Sequence, residues 1–338
     1  MLPKKTKIAQ HVRDNGFKTY SLPFVELSKR PLDIVFYLPS LLANGLALAK
    51  FAKKFDVKII HVNDYYNLIG TIAKLLVPSI KLVTHIRKLP DSSPLIINRF
   101  WLEIHKIVSD TIIVVSNAVQ NQLPHSYPSN LIYDGIHGIE KYSLHDCTTE
   151  TDKIIRILYL GHFIPGKGQD YALQAFWRAY KKCKDIRLRY VGGDMGIKKN
   201  KKFRQLLQNK TMEWNITDVV EFKGNSFHID EEIKEADMML NFSESESFSF
   251  TCFEALYYGT PLIASDSGGP KEQFRHMESG YLVPNRDVHA MAEAILYLVR
   301  NPEIMKAYSI KSQKFVRENF SFSKTTEKLN EFYMNLIY

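Results

Sequence analysis

A doubly wound α/β architecture in two domains is what this sequence predicts, and three observations point to it. Short apolar segments rich in β-branched residues alternate with helical patterns along most of the chain. The alternation lapses over residues 139–153, which are polar and aperiodic, and restarts at 154. In the second half, a loop, a helix, a turn and a strand follow one another and carry two glutamates, Glu246 and Glu254. Apolar strands alternating with helices imply a parallel sheet covered on both faces.

The elements follow in order. Residues 7–15 read as a helix stopped at Gly16, and 17–22 as a strand. An amphipathic helix is expected over 41–55, then a strand over 57–62 ending in Asn63-Asp64. Residues 68–76 are helical, 81–85 a strand, 100–108 a helix, and 111–115 a strand leading to Ser116-Asn117. Asp134-Gly135-Ile136-His137-Gly138 is a turn cluster, and the domain boundary is expected in the polar stretch after it. Strands are then expected over 154–160, 187–191, 219–222, 238–242 and 262–264. Helices fall between them over 171–182, 203–209 and 229–235, with 287–299, 302–318 and 322–336 closing the chain. Lys198-Lys199-Asn200-Lys201-Lys202 reads as a solvated loop. The domains are thus 1–150 and 151–321, with the helix over 322–338 packing back on the first.

At 338 residues the chain is long enough for two cores. No apolar run reads as long enough to span a bilayer, and no signal-peptide pattern opens the sequence. Cys147, Cys183 and Cys252 show neither pairing nor metal spacing, which suits a reducing, cytoplasmic setting. The net charge of +9 is concentrated early: residues 1–90 hold 15 Lys/Arg against 5 Asp/Glu. Such a region attracts phosphates, and an anionic membrane surface on the inner face of the plasma membrane is the specific partner it suggests. No nucleic-acid motif accompanies the charge, so a nucleic-acid partner is not expected.

Two stretches carry chemistry. Glu246-Ser-Phe-Ser-Phe-Thr-Cys-Phe-Glu254 places one acid before a helix start and the other in its first turns, ahead of Gly259-Thr260-Pro261. A helix start collects free N–H groups and positive dipole, so it can hold a diphosphate, and flanking carboxylates can take hydroxyls. That combination suggests a nucleotide-sugar site. After the strand over 154–160, Gly161-His162-Phe163-Ile164-Pro165-Gly166-Lys167-Gly168 lets backbone N–H groups approach an anion, and Lys167 adds a full charge. The spacing Thr251-x-x-Glu254 equally fits a capping box, with Glu254 merely capping its helix. There is no Asp-x-Asp pair and no metal-like cluster, so leaving-group charge would fall to Lys167 and a helix N-terminus, and metal independence is expected.

The constellation resembles the large retaining glycosyltransferase family of the GT-B fold, family 4 or group 1. The resemblance is carried by Gly161…Lys167-Gly168, Val191-Gly192-Gly193, Phe222-Lys223-Gly224, Ala236-Asp237, Glu246-x7-Glu254, Gly259-Thr260-Pro261 and Ser267-Gly268-Gly269-Pro270-Lys271-Glu272. Looser matches lie at Asp110-Thr-Ile-Ile-Val-Val-Ser116-Asn117 and Asp134-Gly135-Ile136. The resemblance implies two Rossmann-like domains facing across a cleft. It also implies sugar transfer with retention from a UDP- or GDP-sugar to a glycan or lipid-linked acceptor in surface polysaccharide synthesis, with no cofactor.

By position, the resemblance gives Glu254 the ribose hydroxyls, Glu246 the transferred sugar, and Lys167 the diphosphate. Gly161, His162 and the N–H groups of Phe248, Ser249, Phe250 and Thr251 would complete the donor site. His85 would reach toward the donor sugar. Retention would follow front-face attack, the leaving phosphate taking the acceptor's proton, without the carboxylate intermediate of retaining glycosidases. Two departures stand out. His162 occupies a position where the family usually has arginine, and the first helix falls almost at Met1, so the family's opening strand and glycine loop read as missing. A nucleotide-sugar-binding partner subunit with little catalysis, or a sugar-nucleotide epimerase, are the alternative readings.

Overall fold

The computed structural model of the chain describes residues 2–3, 7–24, 31–92, 95–124, 126–136 and 154–338. The polar stretch expected to hold the domain boundary, with His137, Gly138 and Cys147, lies outside them. The chain divides into two compact units. The first comprises Met1–Val114, Gln122–Leu131 and Lys328–Tyr338; the second comprises Val115–Asn121 and Ile132–Glu327.

The first unit opens with β1 (Leu2–Pro3), α1 (Lys7–Asp14) and β2 (Ser21–Leu22). A short strand therefore stands ahead of the first helix, paired in parallel with β2. Next come α2 (Pro31–Lys54), β3 (Ile59–Asn63), α3 (Ile69–Leu76), β4 (Lys81–Ile86), α4 (Leu95–Val108) and β5 (Thr111–Val114). After α5 (Asn117–Gln120), which groups with the second unit, β6 (Ser129–Leu131) completes a parallel sheet in the order β3-β4-β5-β6. Ala49 and Ala52 of α2, Ala73 of α3, and Ile60, Val62 and Leu82 from the strands form one buried cluster.

The structure corrects the expectation that no apolar run reaches membrane-spanning length. Helix α2 runs for 24 residues, and its stretch Val35–Lys54 has a mean hydropathy of 1.4. Only 28% of that stretch is buried, and Val35, Phe36, Leu38, Leu42 and Leu46 are exposed. The helix expected over 41–55 instead begins ten residues earlier, at Pro31, and carries Pro39 inside it.

The second unit contains β7 (Ile155–Leu160), α6 (Gln169–Lys182), β8 (Ile186–Val191), α7 (Lys198–Glu213), β9 (Val220–Lys223), α8 (Ile229–Glu235) and β10 (Met238–Asn241). It continues through α9 (Phe250–Tyr258), β11 (Leu262–Ser265), β12 (Tyr281–Val283), α10 (Val288–Arg300), α11 (Pro302–Asn319) and α12 (Phe322–Ile337). From Lys328 onward α12 groups with the first unit. Ile157, Tyr159, Leu188, Tyr190 and Leu240 from the strands pack with Phe176 of α6 and Ile295 of α10 in the main core.

The lysine run read as a loop forms the first turns of α7. Lysine is a good helix former, and the buried Asn200 ties the segment down by donating to the Asp194 carbonyl. The strand order of the second sheet, β12-β11-β10-β7-β8-β9, has every pair parallel. The chain winds outward from β7 in one direction and from β10 in the other. The β7/β10 boundary is therefore a topological switch point, the place where open α/β sheets leave a crevice at the carboxyl ends of their strands.

Candidate active site

Two loops meet at that switch point. The first runs from β7 into α6 and ends at Gly168, whose φ of +80° suits glycine. A Cβ there would lie 2.0 Å from the Phe242 carbonyl oxygen, so the start of α6 can press on the end of β10 only without a side chain. The same loop is fastened from below by Tyr159. Its hydroxyl donates to the Lys167 carbonyl and accepts from the Phe242 N–H at 2.9 Å.

The second loop joins β10 to α9. Its backbone is pinned at Glu246, whose N–H donates to the Ser267 carbonyl at 2.9 Å while its carbonyl accepts from Gly269 N–H at 2.8 Å. Gln273, fully buried, donates from Nε2 to the Phe248 and Ser249 carbonyls at 2.9 and 3.2 Å. Asn241 Nδ2 donates to Ser249 Oγ at 3.1 Å and to Thr251 Oγ1 at 3.2 Å. Ser249 sits at φ +35°, strained for a residue with a Cβ, and caps α9 by accepting from Cys252 N–H. The capping-box alternative for Glu254 therefore does not hold, because Ser249 and not Thr251 is the cap. The N–H groups of Phe250 and Thr251, in the first turn of α9, have no acceptor among the described residues.

These loops bring most of the expected site residues together in one unit. Lys167 Nζ lies 2.8 Å from Glu246 Oε1; the lysine side chain is 42% exposed and the glutamate 13%. Glu254 follows on α9, partly buried, with no hydrogen-bond or ion-pair partner among the described residues, and burial raises its pKa above the ordinary glutamate value. Gly161 directly follows β7, its N–H bonded to the Val191 carbonyl at 2.9 Å. His162 is exposed, its ring nitrogen 3.3 Å from the Gly193 carbonyl. Phe248 is different: its ring is buried against Tyr133, Phe253 and Phe320, so only its backbone is available to a ligand.

His85 belongs to the first unit, near the end of β4. It is 5% exposed, and burial, then the charge of Arg87 and then His61 lower its pKa to about 3. Asn241 and Gln273, which shape the loop before α9, were not singled out in the sequence. Gln273 directly follows the Glu272 motif, but nothing in one sequence shows that it reaches back to Phe248.

A cationic side chain held by a carboxylate, beside a helix start with free N–H groups and an unpaired carboxyl, can take a diphosphate and the hydroxyls attached to it. Among the described residues no group of three or more His, Cys, Asp or Glu is arranged to hold a metal ion.

Known proteins resemble this arrangement. The family model described as glycosyl transferases group 1 matches residues 146–315. N-acetyl-alpha-D-glucosaminyl L-malate synthase from Bacillus anthracis is 25% identical over 334 residues, 93% of this chain and 84% of that protein. Exopolysaccharide phosphotransferase from Streptomyces coelicolor is 34% identical over 153 residues, which is 45% of this chain. This chain spans only 16% of that second relative's length. The solved structure of Anabaena HepE in complex with UDP-glucose superposes with a TM-score of 0.78 at 16% identity, covering 96% of this chain and 88% of that one. At that identity the likeness speaks for the fold, which is GT-B with two Rossmann-like units.

Proposed function

The chain belongs to the glycosyl transferases group 1 family, and on that premise we propose that it transfers a sugar with retention from a nucleoside-diphosphate sugar to a glycan or lipid-linked acceptor. The family supports glycosyl transfer in glycan biosynthesis. The observation that carries the finer reading is the Lys167–Glu246 pair at the β7/β10 switch point, beside the free N-terminus of α9.

Lys167 exchanges its carboxylate partner for the diphosphate and stabilises the charge that develops as the glycosidic bond to phosphate breaks, an electrostatic contribution that is often the largest in catalysis. The Phe250 and Thr251 N–H groups share the phosphate load, with Gly161 and His162 at the edge of the same site. Glu246, released from the lysine, takes hydroxyls of the transferred sugar. Glu254, without a partner among the described residues, takes the ribose hydroxyls. His85 serves the transferred sugar, as the family resemblance implies. The leaving phosphate accepts the acceptor's proton on the front face. Charge neutralisation by a lysine and helix N–H groups makes the reaction metal-independent.

The donor being a UDP- or GDP-sugar is supported by the UDP-glucose bound to the Anabaena protein. An acceptor at an anionic, cytoplasmic membrane face is supported by the basic first 90 residues and by the exposed apolar side of α2.

The test is a donor panel assayed for nucleoside-diphosphate release with and without glycan or lipid-linked acceptors, with Glu254→Ala as control. Product NMR reads the anomeric configuration, and a chelator tests metal independence. If no donor in the panel binds or turns over, the proposal fails.

A further inference from the structure

A polar cluster around His85 lies wholly in the first unit. His61 on β3 and His85 on β4 have ring centroids 5.2 Å apart, tilted by 45°. Tyr333 on α12 meets His61 edge-on, centroids 5.8 Å apart at 80°, and its hydroxyl is hydrogen-bonded to His61 Nδ1. His85 Nε2 is buried and has no hydrogen-bond partner among the described residues. An imidazole nitrogen withdrawn from water and left unbonded costs free energy unless a ligand atom completes it.

We propose that Tyr333 and His61 are positioning residues for His85: the tyrosine hydroxyl donates to His61 Nδ1, fixes the proton on His61 Nε2, and so holds the neighbouring His85 ring in place with its Nε2 reserved for a polar atom of the substrate. This rests on the reading of His85 as a group that serves the transferred sugar.

The surrounding groups are consistent with a neutral pair. Burial, then the charge of Arg87, lowers the His61 pKa to about 4. Burial also raises the Tyr333 pKa, so its hydroxyl keeps the proton it donates. Asp64, at the turn after β3, is a nearby carboxylate. Its Oδ1 is committed to the N–H groups of Tyr65 at 3.1 Å and Arg87 at 3.3 Å. With His61 neutral, a donor at one ring nitrogen decides which nitrogen carries the hydrogen. A tyrosine from the last helix thereby reaches the site through His61, without touching substrate.

The proposal is tested with Tyr333→Phe and His61→Asn in the full-length protein. The asparagine Oδ1 stands where Nδ1 was and keeps an acceptor for the tyrosine, so it rescues position without titrating. Tyr333→Phe removes the donor that favours neutral His61. The His61 pKa should then rise toward its ordinary value, and the acid limb of kcat/KM should move to higher pH. A loss of about two- to tenfold at neutral pH is expected, the size of one hydrogen bond. Side-chain NMR titration of the histidines reads the same shift without any substrate, and His61→Asn should leave the acid limb low. Titration curves and pH–rate profiles of Tyr333→Phe that superimpose on the parent protein would overturn the proposal. If Tyr333→Phe does not fold, an acid limb in His61→Asn shifted upward does so instead. Full activity in His85→Ala would reject the underlying reading of His85, while the NMR titration still judges the Tyr333–His61 link.

Discussion

Lys167 and Glu246, 79 positions apart in sequence, form an ion pair of 2.8 Å at the carboxyl ends of β7 and β10. With the lysine 42% exposed, the pair itself adds little stability, at most about 1 kcal/mol. On the proposed reading, each side chain satisfies the other until a diphosphate takes the lysine.

Lys167→Ala should therefore cost little stability and much activity. Removing a preorganised charge that stabilises a leaving group lowers kcat by roughly 100- to 1,000-fold. Glu246→Gln should separate the two roles. It frees the lysine, so nucleoside-diphosphate binding measured by calorimetry should hold or tighten while kcat falls. Equal weakening of nucleotide binding by both substitutions would contradict this division of labour.

Glu254 is a carboxyl whose pKa is raised by burial. Its neutral form is favoured in the fold, so the stability it contributes is present at low pH and is lost as pH rises through and above the ordinary glutamate value. Glu254→Gln should raise the melting temperature of the free protein at neutral pH. The same substitution should weaken binding of a nucleoside diphosphate more than binding of inorganic diphosphate. A melting temperature that falls would show that the carboxylate has a partner in the folded chain.

Three histidines of the first unit are held neutral by burial: His61 and His105 with pKa values lowered to about 4, and His85 to about 3. Unfolding exposes them to water, where they bind protons near pH 6.5. The unfolded state then gains protons that the native state refuses, so stability is full above that pH and declines as pH falls toward 4. Each histidine contributes up to about 1.4 kcal/mol per pH unit in that window. Urea midpoints measured at pH 7.5, 6 and 5 should drop steeply between the last two. A flat series would mean the histidines already carry charge in the native protein.

Glu272 accepts from Asn117 N–H at 2.8 Å, Ala118 N–H at 2.7 Å, Asn117 Nδ2 at 2.9 Å and the Tyr133 hydroxyl at 2.9 Å. A carboxylate at the start of α5 also meets the positive end of the helix dipole. Glu272→Gln should cost about 1.5–3 kcal/mol, because an amide cannot accept from so many donors at once. Chemical denaturation checks the magnitude. A loss below the error of the measurement would indicate that water replaces these bonds readily.

Much of the architecture was written in local pattern. Alternating apolar strands and amphipathic helices require parallel sheets, because a strand buried on both faces cannot face water. The Glu246-x7-Glu254 spacing likewise placed one acid before α9 and the other on it. Other features were visible as residues but not as contacts. Glu272 stood inside a recognised motif and Asn117 at a strand end, yet their bond spans 155 positions. Ser249 as the cap of α9, Asn241 and Gln273 as braces of its loop, and Tyr333 on His61 all depend on the chain returning from far away. Helix α2 begins before the expected helix and carries Pro39 inside it, where a proline ordinarily ends a helical pattern.

Local pattern set most of the chain order of strands and helices, though not β6 or β12, together with the two-domain plan and the residue types at the carboxyl ends of the strands. These follow from short-range periodicity and from the few residues that suit turns and helix starts. Packing between distant segments makes β7 and β10 neighbours, closes Lys167 on Glu246, and leaves Glu254 without a partner among the described residues. Strand order and side-chain partners arise from packing between distant segments, and the free energy of that packing is not encoded in any one stretch of the chain.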